Sequence, residues 1–298
     1  MLTDFSIGDK IPFGGMMRYS LIIWLMVLVP FVYGDTNQGE YDMGAEDSYM
    51  QRPVPPPRAD LRWLIDIPTA GMLPRGAFDI DFRTFPSSGV QVSLGIGLAD
   101  EFSIGIGYGG AKILSDVSPE WNPKMEFKIR FRLVEETETF PALALGYSSL
   151  GYGLFEKEDS SIGYYEDRYL VKSPGFYLAL SKNFNVYLTP VGWHGGINYS
   201  FENEIDTDPD FFVGLDISFG YDMVFLIDYD FAINDNKRAG NFGLGRGYLN
   251  MGLSWYITSE ISIELDFRDL LLNRKYVSDR KNVIDREVRL VYMKFFSD

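Results

Sequence analysis

Charged side chains recur at every second position in several segments, a spacing that places them on one face of a β-strand. If these strands close into a barrel, a basic row that faces acidic rows across the interior would create an electric field able to orient a permeating solute. If the interior is narrower, the same residues would pair with one another and block it, and we favour this second arrangement. The rows are Lys124, Glu126, Lys128, Arg130 and Arg132; Asp79, Asp81 and Arg83; Asp228 and Asp230, preceded by Asp222; and Glu264, Asp266 and Arg268.

Residues suited to catalysis or to metal binding are few. The chain has no cysteine, which excludes zinc–thiolate sites, thiol catalysis and disulfide scaffolds. Its single histidine, His194, alternates with Trp193 and Gly195 and therefore points to the polar face of its segment. Barrel lipases and deacylases carry their serine–histidine pair on the opposite, lipid-facing side. We therefore predict no catalytic residue, no metal site and no cofactor.

Two polar segments are candidates for binding ions or anionic surfaces. Residues 203–210 space carboxylates at alternate positions, as calcium loops do, but the segment lacks glycine and Pro209 restricts its backbone. We favour a solvated acidic loop there. A basic cluster would meet lipopolysaccharide phosphates or an anionic glycan, or would form a solvated mixed-charge loop. It contains Arg274, Lys275, Arg280, Lys281 and Arg286.

The composition narrows the fold class. The 298 residues are 46% hydrophobic and 16% aromatic, which is too aromatic for a disordered chain despite the net charge of −15. That acidity argues against a nucleic-acid partner, because surfaces that bind a duplex are basic. No stretch reaches the ~18 to 20 consecutive apolar residues that a spanning helix needs, which excludes an α-helical membrane protein.

The N-terminal region has the pattern of an export signal. Arg18 precedes an apolar run from Leu21 to Tyr33, too short to span a bilayer, and Gly34 stands before a possible cut at Asp35. A short membrane anchor or a buried helix is the alternative. We therefore predict that residues 1–34 contain a signal peptide. Because the first fifteen residues are unusual for a signal, the true start is expected at Met16 or Met17.

The rest of the chain divides into a linker and a strand-rich region. Residues 35–60 are acidic and then proline-rich, which predicts a disordered periplasmic linker. From Leu61 onward, apolar and polar residues alternate with a period of two, which predicts an all-β antiparallel fold over residues 61–298. The predicted strands are 77–85, 90–99, 102–108, 125–134, 140–148, 176–182, 193–201, 211–219, 223–231, 248–257, 261–268 and 287–296.

The lengths of the connections predict the number of strands. A bacterial single-chain barrel has an even number of strands, with short turns at one end and long loops at the other. A weak run, Phe184, Val186 and Leu188, lies between two stronger segments. Short and long connections alternate best when residues 183–191 are one connection. This predicts twelve strands, with ten or fourteen as alternatives.

Three features favour a transmembrane barrel in the outer membrane over a soluble sandwich, whose apolar face would point inward. They are the export signal, the aromatic residues near strand ends, and an aromatic-ended C-terminal strand of the kind read by outer-membrane assembly machinery. Outer-membrane lipid, lipopolysaccharide and that machinery are the expected partners. The aromatic residues are Trp121, Tyr147, Trp193, Phe219 and Trp255, and the C-terminal pattern is Val288, Leu290, Tyr292 and Phe296.

Several short motifs lie in the first half of the strand-rich region. They are Leu64-Ile65-Asp66-Ile67-Pro68-Thr69-Ala70 with Leu73-Pro74-Arg75-Gly76, Pro141-Ala142-Leu143-Ala144-Leu145-Gly146-Tyr147 with Gly151, and Tyr169-Leu170-Val171-Lys172-Ser173 with Ser181-Lys182. In these motifs the chain resembles the YjbH-type family of outer-membrane barrels. The resemblance implies a barrel that helps to move or anchor an exopolysaccharide or capsule, with a polysaccharide or export proteins as partners. It implies no catalytic or binding residues.

Three functions are compatible with the sequence. The first is a non-catalytic conduit or accessory for polysaccharide export, and the second is a diffusion porin or a plugged structural barrel. The third is a soluble exported β-protein that binds glycans. A continuous lumen would favour the first, and a closed lumen would favour a plugged barrel. What fills the lumen is therefore the most informative observation.

Overall fold

The computed structural model describes residues 60–157, 167–187, 189–202, 206–220, 222–236, 243–274 and 283–296. The predicted signal peptide and the linker up to residue 59 lie outside the described residues. Within those ranges, no helix is long and apolar enough to span a membrane. A short 3₁₀ helix spans Ile233–Asp235.

Fifteen strands account for most of the described residues. They are β1 (Ala77–Phe85), β2 (Gly89–Ala99), β3 (Phe102–Ala111), β4 (Glu120–Trp121), β5 (Glu126–Val134), β6 (Ala142–Ser148), β7 (Tyr152–Glu156), β8 (Arg168–Val171), β9 (Gly175–Val186), β10 (Thr189–Tyr199), β11 (Asp210–Phe219), β12 (Met223–Asp230), β13 (Tyr248–Tyr256), β14 (Ile261–Arg268) and β15 (Asp285–Phe295).

Twelve of these strands form one closed antiparallel barrel. Their order is β1, β2, β3, β5, β6, β9, β10, β11, β12, β13, β14, β15 and back to β1. The seam between the first and last strands runs from Ala77 opposite Phe295 to Arg83 opposite Arg289. The prediction of an all-β barrel with twelve strands is confirmed, and the alternatives of ten and fourteen strands are wrong.

One connection differs from the sequence prediction. Residues 183–191 are not a single connection, because β9 continues to Val186 and β10 begins opposite it at Thr189. The turn between these strands is tight, and Tyr187 adopts a left-handed conformation there with a φ of 57°. The weak run after residue 183 therefore extends an existing hairpin without adding a strand, so the count stays even.

The apolar face of the barrel strands points outward. On β2, Leu94 and Leu98 are 44% and 50% exposed, whereas the alternate residues Gln91 and Ser93 are buried. The same alternation of exposed apolar and buried polar residues holds on β3, β5, β14 and β15. A closed sheet with this polarity presents an apolar belt to its surroundings and polar side chains to the lumen, which is the reverse of a soluble sandwich.

The two ends of the barrel differ in the length of their connections. The terminal end, which holds the start of β1 and the end of β15, has short connections such as residues 100–101 and 220–222. The loop end has long connections such as residues 149–174 and 269–284. Within residues 149–174, β7 and β8 pair with each other as a separate hairpin. Short turns at one end and long loops at the other are typical of outer-membrane barrels.

Aromatic residues border the outward apolar face at both ends. At the loop end, Trp121 stacks on Tyr108 with ring centroids 5.7 Å apart, and Tyr147 packs against Phe176 at 5.1 Å. Two bands of this kind mark the two interfaces of a bilayer. Exposed aromatic residues at the terminal end include Phe140, Phe219, Trp255, Phe295 and Phe296.

Residues 60–74, here called the plug, fold back inside the barrel before β1 begins. The plug is a tight hairpin, in which the amide of Leu64 donates to the carbonyl of Ile67 and the amide of Thr69 donates to that of Arg62, both at 3.1 Å. Leu64 and Ile65 are fully buried. The alternation of apolar and polar residues in the sequence predicts the strands of the barrel wall. It does not predict that residues 60–74 lie in the lumen.

Candidate functional site

The tip of the plug is bound by one carboxylate of the barrel wall. Asp228 on β12 accepts the consecutive backbone amides of Ile65, Asp66 and Ile67 on one oxygen, at 2.9, 2.8 and 3.4 Å. Its other oxygen accepts the side-chain amide of Asn250 at 2.7 Å. A row of backbone N–H groups is a natural site for an anion, and here the anion belongs to the wall. Asp228 therefore satisfies the exposed donors of the hairpin turn.

Arginines of the neighbouring strands bind the carbonyls of the same turn. Arg289 on β15 donates to the Leu64 carbonyl at 3.2 Å, and Arg83 on β1 donates to the Ile65 carbonyl at 3.4 Å. Arg268 on β14 forms an ion pair with Asp66. Backbone polar groups that leave water need such partners. This side of the lumen, formed by β1, β12, β13, β14 and β15, is called the charged wall below.

Carboxylates hold the arginines of the charged wall in place. Arg289 pairs with Asp81 at 2.8 Å and with Glu264 at 3.2 Å. Arg83 and Arg268 share Glu287, at 2.9 and 2.5 Å. Paired, hydrogen-bonded charges of this kind are the form in which ionised groups occur in a protein interior.

A neighbouring part of the lumen wall contacts the plug through apolar side chains. Leu64, Ile65 and Ile67 pack in one buried cluster with the wall residues Tyr177, Ala179, Phe212, Val224 and Leu226. A second contact joins Ala70 of the plug to Ala142 and Ala144 on β6. Because the residues are small there, the plug backbone approaches the wall closely. This side, formed by β6, β9, β11 and the first half of β12, is called the apolar wall below.

A third group of contacts holds the plug near the terminal end. Arg130 on β5 donates to the Gly71 carbonyl at 2.7 Å and to the hydroxyl of Tyr177 at 3.0 Å, and its guanidinium lies over the ring of Trp63. Arg132 pairs with Asp60 at 2.6 Å. Asp79 on β1 pairs with Arg62.

Most of the charged residues singled out from the sequence therefore contact the plug or one another. Glu126 accepts the hydroxyl of Tyr169 at 3.1 Å, and Lys128 donates to Ser93 at 3.0 Å. Lys124 lies 4.0 Å from Glu126, but its ammonium is largely exposed just before β5 begins. Those that contact the plug or another strand of the barrel wall are Asp79, Asp81, Arg83, Lys128, Arg130, Arg132, Asp228, Glu264 and Arg268, whereas Glu126 contacts the β7–β8 hairpin.

Two further acidic residues of the predicted rows lie in the interior without an ion pair among the described residues. Neither carboxylate oxygen of Asp266 has a hydrogen-bond partner among the described residues. Asp230 accepts the amide of Ala232 at 2.7 Å, at the loop end of β12. The observed pairs join neighbouring strands or reach the plug, so the expected pairing of charges across a narrow lumen is not the arrangement seen, and Asp266 has no hydrogen-bond partner among the described residues.

Several residues of the site were not singled out from the sequence. Glu287 and Arg289 follow the same alternation on β15 as the predicted rows do on other strands, so the signal for them was present. The apolar wall gave no such signal, because an apolar inward face was not expected in a membrane barrel. The plug residues gave none either, since only their contacts reveal their position.

The hairpin of β7 and β8 closes the loop end. Arg168 is buried and pairs with Asp235 of the 3₁₀ helix at 2.7 Å. Burial disfavours the charge of Arg168, but the adjacent Asp235 carboxylate outweighs burial and raises the pKa of this guanidinium above its usual value. Tyr169 reaches down to Glu126 of the barrel wall. A chamber of about 60 Å³ remains between the hairpin and the plug.

His194 points into the lumen, as its alternation predicted. Its Nδ1 lies 2.7 Å from Ser181 Oγ on β9, and its Nε2 lies 2.7 Å from Asp216 Oδ1 on β11. Ser181 Oγ also accepts the backbone amide of Ala70 in the plug at 2.8 Å. These residues line a cavity of about 400 Å³ near the terminal end. The sequence named Ser181 only within a family motif and did not single out Asp216, because β-pairing alone brings these two residues to His194.

The two loop predictions have different outcomes. Of the acidic segment, residues 203–205 lie outside the described residues. Asp206 and Asp210 are buried, and they accept the backbone amides of Asn236 and Ile233 respectively. The prediction of a solvated loop is therefore wrong for these two residues. No group of three or more possible metal-ligating side chains occurs among the described residues. In the basic cluster, Arg274 pairs with Asp269 and Asp285 instead of facing solvent, and residues 275–282 are not among those described.

Comparisons with known proteins give structural likeness only. No family model and no curated protein matches the chain. A solved KdgM porin is similar with a TM-score of 0.41 and 11% identity, covering 72% of this chain and 98% of that one. A NanC porin scores 0.40 at 11% identity, covering 74% and 100%. Outer membrane phospholipase A from Escherichia coli scores 0.34 at 9% identity, covering 75% and 98%. All three scores are below 0.5, so the function is argued from this chain's own residues.

Proposed function

We propose that the protein is a non-catalytic, porin-like barrel of the outer membrane whose lumen is closed by its own plug. In this state it is a gated pore at rest, and hydrophilic solutes pass only when residues 60–74 leave the lumen. The outward apolar belt, the aromatic bands and the short and long connections support a place in the outer membrane.

The observation that carries the proposal is the way in which the plug is bound. Its turn is held by hydrogen bonds and ion pairs to side chains of the wall, and among the described residues the plug is continuous with the wall at the start of β1. The polar surface needed by a water-filled pore is therefore present on the wall, where it is occupied by the plug. Removal of the plug would expose Arg83, Arg268 and Arg289 with their carboxylate partners to the lumen.

Single-channel recording in planar bilayers tests this proposal. The unaltered protein is expected to give no steps or rare ones. Asp228→Ala is expected to give frequent steps, because three backbone amides of the plug lose their acceptor. Asp116→Ala, which removes an exposed carboxylate from a loop, is the matched control and should behave as the unaltered protein does. Frequent large steps from the unaltered protein, or a silent Asp228→Ala variant that still folds, would contradict a plug-gated pore.

A second candidate is an accessory role in polysaccharide export. The positions of the family motifs favour this role. The motifs at residues 64–70 and 73–76 lie in the plug and in the segment that joins it to β1. The motif at residues 141–147 covers most of β6, which packs against Ala70 of the plug. A deletion strain would be expected to carry less exopolysaccharide or capsule, measured by uronic-acid content of washed cells. An unchanged coat in that strain would count against this role and would leave the plugged pore untouched.

A further inference from the structure

The only histidine of the chain lies at the contact between the wall and the plug. Ser181 and His194 face each other on the paired strands β9 and β10, and Asp216 lies on β11, next to β10. Gly192 makes room for this arrangement, since a Cβ at that position would collide with the Asp216 carboxylate and lie 2.9 Å from His194 Nε2. The local sequence thus brings a carboxylate, an imidazole and a hydroxyl into one line across three strands.

The chemistry of the three groups fixes the direction of their hydrogen bonds. An ionised carboxylate only accepts, so His194 Nε2–H donates to Asp216, and in the neutral imidazole Nδ1 is then an acceptor. The Ser181 hydroxyl then donates to Nδ1, and its oxygen keeps a lone pair for the backbone amide of Ala70. The line therefore ends on the plug backbone.

Its position is suited to controlling release of the plug. Ala70 packs against Ala142 and Ala144, so the hydrogen bond to Ser181 forms where small side chains bring the plug backbone close to the apolar wall. The cavity of about 400 Å³ that these groups line also reaches Asp60 and Arg132, at the terminal end of the barrel. The tip of the plug, by contrast, is held deeper in the lumen by Asp228.

We propose that Asp216, His194 and Ser181 form a catch that sets how readily the plug leaves the lumen. Ser181 binds the plug, and His194 and Asp216 act as positioning residues that keep its oxygen available to Ala70. This inference rests on the proposed plug-gated pore and adds to it the place at which release is controlled. The bound amide on Ser181 Oγ favours this role over that of a nucleophile.

A thiol-labelling experiment measures release of the plug directly. Because the chain has no cysteine, Ala144→Cys places a single thiol on the wall beneath Ala70, where it is fully buried while the plug is seated. The rate of its reaction with a charged maleimide, in protein reconstituted into vesicles, reports how often the plug leaves. All variants below are made in this background and checked for folding by their heat-modifiable mobility in gels.

The expected order of rates separates a catch from a general loss of packing. Ser181→Ala should label about tenfold faster or more, because the buried amide of Ala70 loses its acceptor. Ser181→Thr, which keeps the hydroxyl, should restore slow labelling. Asp216→Asn should lie between them, because the imidazole loses its fixed tautomer. Ser254→Ala removes a serine of equal burial on β13 and should leave the rate unchanged.

The result that would contradict the proposed role of Ser181, His194 and Asp216 differs from the result that would contradict the plug-gated pore. Asp228→Ala in the same background releases the tip of the plug. If that variant labels rapidly and Ser181→Ala stays slow, the plug moves but the catch is wrong. If neither labels, the plug does not leave, and the plug-gated pore fails together with the catch. Covalent labelling of Ser181 by a fluorophosphonate in the unaltered protein would show a nucleophile and overturn its role as a catch.

Discussion

The two sides of the lumen hold the same short hairpin by different physical means. The charged wall binds the backbone of the plug with oriented carboxylates and guanidinium groups, such as Asp228 and Arg289. The apolar wall binds the side chains of the plug by close packing, and Leu226, for example, lies in one buried cluster with Leu64 and Ile67. The first kind of contact depends on direction and the second on shape and area, so together they fix both the register of the plug and its depth.

This difference between the two walls predicts that substitutions on the charged wall lower the free energy of unfolding the most. Arg289→Met removes one cation and leaves Asp81 and Glu264 without their partner in the interior. We expect the free energy of unfolding to fall by about 4 kcal/mol, since an uncompensated buried charge is the main penalty. Urea unfolding in lipid vesicles, followed by tryptophan fluorescence, measures the change.

Lys294→Met is the control for that variant, because it removes a half-exposed cation from the same strand. Its cost should be close to zero, as is usual for exposed pairs. Equal losses for the two variants would mean that the charged wall contributes no more than surface charge does.

Leu226→Ala tests the apolar wall. The side chain is fully buried against the plug, so its truncation is expected to cost about 3 kcal/mol in the same unfolding assay. Leu253→Ala, on the outward face, removes the same atoms from a side chain that is 40% exposed and should cost clearly less. A larger loss for Leu253→Ala would show that lipid contact outweighs contact with the plug.

Gly214→Ala sharpens the comparison by adding atoms to the apolar wall. A Cβ at this position would clash with Leu64 and lie 2.8 Å from Ile67 Cδ1 and 2.9 Å from the carbonyl of Ile227. Overpacking of this kind is expected to cost about 2 kcal/mol and to speed the release of the plug. Gly195→Ala, whose added Cβ meets nothing nearer than 3.2 Å, is the control. Unchanged stability of Gly214→Ala would mean that the plug shifts freely.

Asp266→Asn should change the free energy of unfolding the least of these variants, and it should raise this free energy where the others lower it. The carboxylate is buried on the charged wall without a hydrogen-bond partner among the described residues, in the same inward row as Glu264. A neutral amide of the same shape removes the charge, and we expect a gain of about 1 kcal/mol in the free energy of unfolding. A loss of stability would indicate that Asp266 has a role which its contacts do not show.

The sequence was informative about the wall and silent about what lies inside it. Alternation predicted the strands and the inward position of His194 because every strand of a closed sheet repeats the same two-residue geometry. It could not place Leu64 or Ile65, since an apolar pair before a strand looks the same in a linker, a plug or a further strand. The contacts of Ser181 and Asp216 with His194 were missed for a related reason. Cross-strand neighbours depend on the register of the strands, and the side-chain pattern shows only which face of the sheet a residue occupies.

The seam of the barrel is linked to the plug. Arg289 on the last strand contacts Asp81 on the first strand and also the Leu64 carbonyl of the plug, so one side chain joins the end of the barrel sequence to both parts of its beginning. The plug precedes β1 directly, so the seam and the plug share Arg289 as a common partner. A plug seated in the lumen therefore adds its Leu64 carbonyl to the contacts that Arg289 makes across the seam. Loss of Arg289 would weaken the closure of the ring and the binding of the plug together.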